Sequence, residues 1–176
     1  MTFKWPWQYD FPPFFTLQPT LTTRDKQLEV WSQLIRDYCE FHRIFTLDVL
    51  EAANSELFNN SKLNRKLDSA GVSAVFEYLE HKQLVDWIDK QKTRCLIHWK
   101  RPSEWGDLIY AWASNSGQLN TVCTLYEITQ GEDTSSEEFY GIEKEALLRA
   151  LEELKSQRRA ELINIGSEHE GVKFFP

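Results

Sequence analysis

No stretch of this 176-residue chain is apolar for long enough to cross a bilayer. Its start has no basic region followed by an apolar one, so a secretory signal is not expected and a cytoplasmic protein is. Cysteine is scarce. Cys39, Cys95 and Cys123 are odd in number, lie far apart and form no C-x-x-C pair. They suit buried thiols in a reducing compartment better than a disulfide or zinc framework. A glycine-rich phosphate loop is missing, and no cofactor is expected. His98 lies on an expected strand beside Trp99 and His42 ends an expected helix, while His81 and His169 have neither a nearby nucleophile nor metal-ligand spacing, so all four read as structural histidines. The paired acids Glu137-Glu138 and Glu152-Glu153 are adjacent in sequence, so they do not face each other across a cleft. Enzymatic chemistry is therefore not expected. The acidic run 132–138 lacks the ligand spacing of a calcium loop and reads as a solvated turn.

Proline is rare except in one place. Four of the six prolines fall in the first twenty residues, together with seven aromatics: Phe3, Trp5, Trp7, Tyr9, Phe11, Phe14 and Phe15. Pro6, Pro12, Pro13 and Pro19 fix φ and remove backbone donors, which forbids an α-helix or a central strand. The expectation is an extended, polyproline-like arm carrying large apolar rings. For Trp5, Pro6, Trp7 and Tyr9 the sequence leaves open a strap on the chain's own domain or a recognition segment. For Phe11, Pro12, Pro13, Phe14 and Phe15 it favours partner binding, because stiff Pro-aromatic clusters fill pockets at low entropic cost. On that reading the arm adds little to the chain's own stability.

Beyond the arm, helical periodicity runs over 24–42, with Leu28, Trp31, Leu34, Ile35, Tyr38 and Phe41 on one broad face. A short helix is expected at 47–53 and a third at 69–82, with Val72, Val75, Phe76 and Leu79 inward. Strands follow at 84–88, pairing Val85 and Trp87 on one face, and at 95–99, with Cys95, Ile97 and Trp99 on one face. Residues 89–94 form the hairpin tip. Trp31, Trp87 and Trp99 are expected in the core.

The order then repeats. Pro102 suits the first turn of a helix whose stripe is Trp105, Leu108, Ile109 and Trp112. Phe45-Thr46-Leu47-Asp48 is echoed 78 positions later by Cys123-Thr124-Leu125-Tyr126, and Thr124 with Glu127 forms a plausible capping box. A third helix spans 143–157 with Leu147, Leu148, Leu151 and Leu154 inward, and closing strands fall at 161–165 and 172–175 around a loop at 166–171. Three helices followed by a two-stranded wing make a winged helix. The fold class is therefore α+β, mainly helical. An arm at 1–20 precedes two tandem winged-helix domains, at 21–101 and 102–176.

Winged helices often bind DNA, but the charges oppose it here. Residues 1–100 hold 13 basic and 13 acidic side chains, whereas 101–176 hold 7 basic and 14 acidic, the whole net charge of −7. The third helices turn Ser73, Glu77, Glu80 and Lys82, then Glu145, Arg149, Glu152 and Glu153, outward. Carboxylates there repel phosphate. A nucleic-acid-binding or transcription-associated protein is the alternative, set second. A basic protein partner for the C-terminal part fits the charge. Anionic lipid would be repelled as well, so direct membrane binding is not expected.

Trp5-Pro6-Trp7-Gln8-Tyr9 and Phe11-Pro12-Pro13-Phe14-Phe15-Thr16-Leu17-Gln18-Pro19 closely resemble the N-terminus of the small subunit of ESCRT-II, the second endosomal sorting complex required for transport. The resemblance continues through Leu57-Phe58-Asn59-Asn60, Arg101-Pro102-Ser103-Glu104-Trp105-Gly106 and Gly131-Glu132-Asp133-Thr134 to Gly171-Val172-Lys173-Phe174-Phe175. It implies two tandem winged helices and a non-enzymatic role in multivesicular-body sorting of ubiquitinated cargo. It further implies that two copies of the chain join two larger subunits through Pro12-Pro13-Phe14-Phe15. The second winged helix would recruit and activate the first ESCRT-III subunit through that subunit's basic N-terminal helix. Endosomal location would then come through partners. Phe15 stands where the motif can carry Tyr, so no hydroxyl contact is implied. For the recruitment surface, predicted exposure singles out Tyr126, Glu127, Glu152 and Glu153.

Overall fold

A computed structural model of the chain describes residues 1–164 and 170–176. Two compact units divide it, Met1–Trp99 and Lys100–Pro176. The first contains α1 (Leu21–His42), β1 (Thr46–Asp48), α2 (Val49–Asn54), β2 (Asn59–Asn60), β3 (Arg65–Lys66), α3 (Ser69–His81), β4 (Val85–Trp87) and β5 (Arg94–Ile97). The second contains α4 (Pro102–Asn115), β6 (Val122–Thr124), α5 (Leu125–Gln130), α6 (Lys144–Ser156), β7 (Ala160–Asn164) and β8 (Glu170–Phe174).

In the first unit the stripe of α1 buries Leu28, Trp31, Leu34 and Ile35, while Tyr38 is half-buried and Phe41 is exposed. The helix stops at Arg43, whose left-handed φ of 56° lets Ile44 N donate to Cys39 O at 2.8 Å. That reversal feeds the chain into β1, a strand too short to have shown alternation. β5 lies between β1 and β4, with Leu47 and Trp87 both opposite Cys95 and Val85 opposite Ile97. The expected wing pairs therefore form, and β1 is added to them. α2 starts two residues later than expected, because Asp48 caps it by accepting from Glu51 N at 3.0 Å. Asp68 caps α3 in the same way, accepting from Gly71 N at 2.8 Å. The expected tryptophan core narrows to Trp31, which is fully buried. Trp87 and Trp99 are half-buried and lie against the core's edge.

The arm is not extended and not separate. Trp7–Asp10 and Pro12–Phe15 each form a 3-10 turn, and Tyr9, Phe14 and Phe15 join the core of the first unit. Phe14 stacks on Trp31 with centroids 4.1 Å apart and planes 8° from parallel, and Phe15 meets the same indole edge-on at 5.5 Å. Backbone groups of the arm are satisfied by α1 side chains. Trp31 Nε1 and Gln27 Nε2 both donate to Phe14 O, at 3.1 and 3.0 Å, and Gln27 Oε1 accepts from Gln18 N at 3.0 Å. Asn60 Nδ2 donates to Tyr9 O at 2.7 Å, and the Tyr9 hydroxyl donates to Glu56 O. The expectation that Phe14 and Phe15 leave the chain's own stability alone is thereby corrected. Apolar rings of this size gain more by filling the core than by lying in water.

The second unit repeats the plan with β8 between β6 and β7. Trp105, Ile109, Trp112 and Ala113 of α4 face Leu147, Ala150, Leu151 and Leu154 of α6 in the core, with Leu148 only half-buried. Gly106 permits the close approach: a Cβ there would lie 3.1 Å from Ala150 O and 3.3 Å from Leu154 Cγ. Cys123 of β6 sits opposite Val172, as Leu47 sits opposite Cys95. Thr124 caps α5 as Asp48 caps α2, accepting from Glu127 N at 3.0 Å. The two units are thus in register at 76 positions, not 78. The acidic run is anchored rather than merely solvated, because buried Thr134 donates to Glu127 O at 3.2 Å. Most of the loop expected at 166–171, and His169, lie outside the described residues.

Two outcomes follow from the docked arm. Phe14→Ala or Phe15→Ala should each destabilise the first unit by about 3–5 kcal/mol, lowering its melting temperature by roughly 10 °C or more. Unchanged melting would show that the rings are not in the core. Burial, and then the nearby Glu56 charge, pushes the Tyr9 phenol up to about 12. The Tyr38 phenol is raised too, by burial and by its 2.9 Å bond to Glu56 Oε1. The unfolded phenol titrates near ~10, so this contribution is whole below that pH and lost as pH rises toward about 12. Urea unfolding across that window should show stability falling, and Tyr9→Phe should make the fall shallower. An identical slope in the variant would contradict the assignment.

Candidate functional site

Seating three arm rings in the core turns others outward. Trp7 is 69% and Phe11 48% exposed, and they meet edge to face at 5.7 Å. Pro12 and Pro13 are exposed beside them. Together with Gln8, Phe14, Gln18 and the α1 residues Thr23, Lys26, Gln27 and Val30, the rings and Pro13 border a mainly apolar groove of about 420 Å³. Trp5 is half-buried, stacked on Tyr9 at 3.9 Å, and Pro6 is half-buried. Of the nine arm residues expected to bind a partner, the structure presents Trp7, Phe11, Pro12 and Pro13. It withdraws Tyr9, Phe14 and Phe15, because Trp31 and the Asn60 and Gln27 amides hold them inward. Two exposed aromatic rings are thus held on a backbone that the fold has already ordered.

The second unit offers a different surface. A groove of about 410 Å³ runs between α5, the start of α6 and β8. Leu125, Ile142 and Leu147 supply its apolar part, while Glu143, Lys144 and Glu170 supply its charges. Tyr126 lines it and is 67% exposed. Glu127 is exposed on the same helix but does not line the groove, and Glu152 and Glu153 lie on the distal half of α6, also outside it. The structure therefore brings Tyr126 together with Glu143 and Glu170 and leaves Glu152 and Glu153 apart. Glu152 instead meets Arg149 at 3.9 Å. Glu143 read from sequence as a helix-start charge, and Glu170 fell in an expected loop. Neither position carried a signal beyond its charge.

Reactive side chains are otherwise occupied. All three cysteines are buried thiols, as expected. Burial raises the thiols of Cys39 and Cys123, and pushes Cys95 up to about 12, which keeps them protonated and poorly nucleophilic. His98 is buried with Nε2 at 2.8 Å from Asp86 Oδ2, and Arg36 Nε donates to its carbonyl at 3.2 Å. Among the described residues no three His, Cys, Asp or Glu side chains gather where they could hold a metal ion, and no helix is long and apolar enough to cross a membrane. On α3, Ser73 and Glu77 are exposed, and on α6 the exposed carboxylates Glu145, Glu152 and Glu153 outnumber the exposed cations Lys144 and Lys155, a balance that opposes phosphate.

A family model for subunits of the ESCRT-II complex matches residues 8–143. Vacuolar protein-sorting-associated protein 25 of the zebrafish Danio rerio is 53% identical over 175 residues, covering 99% of this chain and 100% of that protein. The fold is similar to the crystal structure of subunit VPS25 of the endosomal trafficking complex ESCRT-II, with a TM-score of 0.86, 28% identity, and 96% and 97% of the two chains covered. It is similar as well to a chain in the crystal structure of the endosomal complex ESCRT-II (VPS22/VPS25/VPS36), with a TM-score of 0.82, 29% identity, and 97% and 98% covered. On this likeness across nearly its full length, in sequence and in fold, the chain belongs to the family of ESCRT-II complex subunits.

Proposed function

We propose that this chain is a non-enzymatic assembly subunit of ESCRT-II, acting in multivesicular-body sorting of ubiquitinated cargo. It would do so as two copies joined to the two larger subunits, the partners named VPS22 and VPS36 in the similar complex. The outward pair Trp7 and Phe11 on an otherwise core-anchored arm is the observation that carries this reading. Desolvated aromatic anchors contribute ~2 kcal/mol or more each at an interface. Pro12 and Pro13 complete the contact surface, and Phe14, Phe15 and Tyr9 position it from inside. Trp5 and Pro6 flank it. Endosomal residence comes through these partners. Trp7→Asp with Phe11→Asp should abolish co-purification with the larger subunits while leaving the melting temperature within a few degrees. Retained assembly would overturn the docking role of this surface.

The second unit recruits and activates the first ESCRT-III subunit through that subunit's basic N-terminal helix. Support comes from a half-apolar groove bordered by Glu143 and Glu170 on the half of the chain that holds all of the net negative charge. An amphipathic helix can bury its apolar face there while its cations meet the rim. Charge attraction of this kind acts mainly on the association rate and weakens with salt. Titrating the full chain with the basic helix should give an affinity that falls with salt, and Tyr126→Ala with Glu143→Gln should weaken it roughly tenfold or more. Binding indifferent to salt and to both substitutions would contradict the assignment.

A further inference from the structure

Lys144 is the only basic side chain among the described residues that line the groove of the second unit. Its ammonium lies 3.4 Å from Glu170 Oε1, and the two side chains are 62% and 42% exposed. The position is electrostatically wrong for the helix. Lys144 is the first residue of α6, where the unpaired N–H groups and the macrodipole favour carboxylates and disfavour a cation. Glu143 and Glu145 on either side conform to that rule, and Lys144 breaks it. An ion pair this exposed also contributes little to the fold. Neither helix stability nor pairing energy accounts for a lysine here. What the residue does accomplish is to neutralise Glu170 at the rim of the half-apolar groove.

We propose that Lys144 is an internal stand-in for a basic residue of the docked helix. In the free chain it occupies Glu170, and on binding a lysine or arginine of the incoming helix takes that carboxylate while Lys144 turns into solvent. The weakness of the exposed pair makes this exchange cheap for a partner that brings its own cation. A partner without one leaves Lys144 in place. The lysine thus lowers affinity for a basic helix by holding a competing contact at the carboxylate that the helix uses. This inference rests on the recruitment reading above and adds the regulation of the same groove.

The test is calorimetric titration of the full chain with a synthetic peptide of the basic N-terminal helix of the first ESCRT-III subunit. Lys144→Gln should tighten binding about two- to fivefold, with a melting temperature equal to or slightly above that of the unsubstituted chain. Glu170→Gln should weaken binding, and adding Lys144→Gln to it should recover little. Unchanged or weaker binding by Lys144→Gln, or the same gain with and without Glu170, would overturn the exchange. If binding is strong and depends on Tyr126 while Lys144→Gln has no effect, the exchange alone fails. If the unsubstituted chain does not bind the peptide at all, the recruitment reading fails, and the exchange with it.

Discussion

The indole of Trp31 is the element on which the first unit depends. One face stacks on Phe14 and the ring also lies against Phe58, with centroids at 4.1 and 5.2 Å, while its N–H is bonded to the Phe14 carbonyl. A single side chain on α1 thereby holds the arm by dispersion, by burial and by a directed hydrogen bond. Phe58 in turn reaches Phe76 of α3, so the arm, the first helix and the third helix share one aromatic stack. The polar groups of the arm that this burial would otherwise strand are matched by Gln27 and Asn60. An unmatched backbone carbonyl at that depth would offset much of what the rings contribute.

The stack also decides which rings are left out. Two short 3-10 turns cannot place every side chain inward, and the ones turned out are Trp7 and Phe11. Their backbone is held by neighbours that are already buried, so the pair is preorganised rather than carried on a loose tail. The second unit shares the plan but has no arm, and among its described residues the most exposed aromatic is Tyr126 on the short second helix. The matching position in the first unit, at the offset of 76, is Leu50, which is 73% exposed. The duplicated plan therefore keeps an apolar residue on the same spot, while a charged groove is formed around it in the second unit.

Much of this was legible from residue order, and the failures have physical causes. Helices with stripes such as Leu28, Trp31, Leu34 and Ile35 were clear, because a 3.6-residue period over several turns has few rival explanations. β1 and β6, three residues each, are too short to alternate, and their existence depends on partners some fifty residues away in β5 and β8. Missing them also shifted the repeat by two positions. The arm misled for another reason. Proline fixes φ near −65°, a value that polyproline and 3-10 conformations share. Counting prolines could not separate the two, and the deciding groups, Gln27 and Trp31, lie on a helix after the arm. Tyr126 was found by exposure, but Glu143 and Glu170 join it only through the fold. Glu152 and Glu153 rest on predicted exposure alone, and exposure does not say which side chains the fold brings to one groove.

Amide hydrogen exchange in the free chain tests most directly whether the arm is a docked, preorganised platform. The amides of Phe14 and Thr16 donate to Phe11 O and Pro13 O, and that of Gln18 to the Gln27 side chain. With the arm held by Trp31, these three amides should exchange only as fast as the first unit opens, in step with the core amides of α1. Exchange at the rate of an unstructured peptide, with the α1 core still protected, would show that the arm is free in solution and that its rings are not held by the fold.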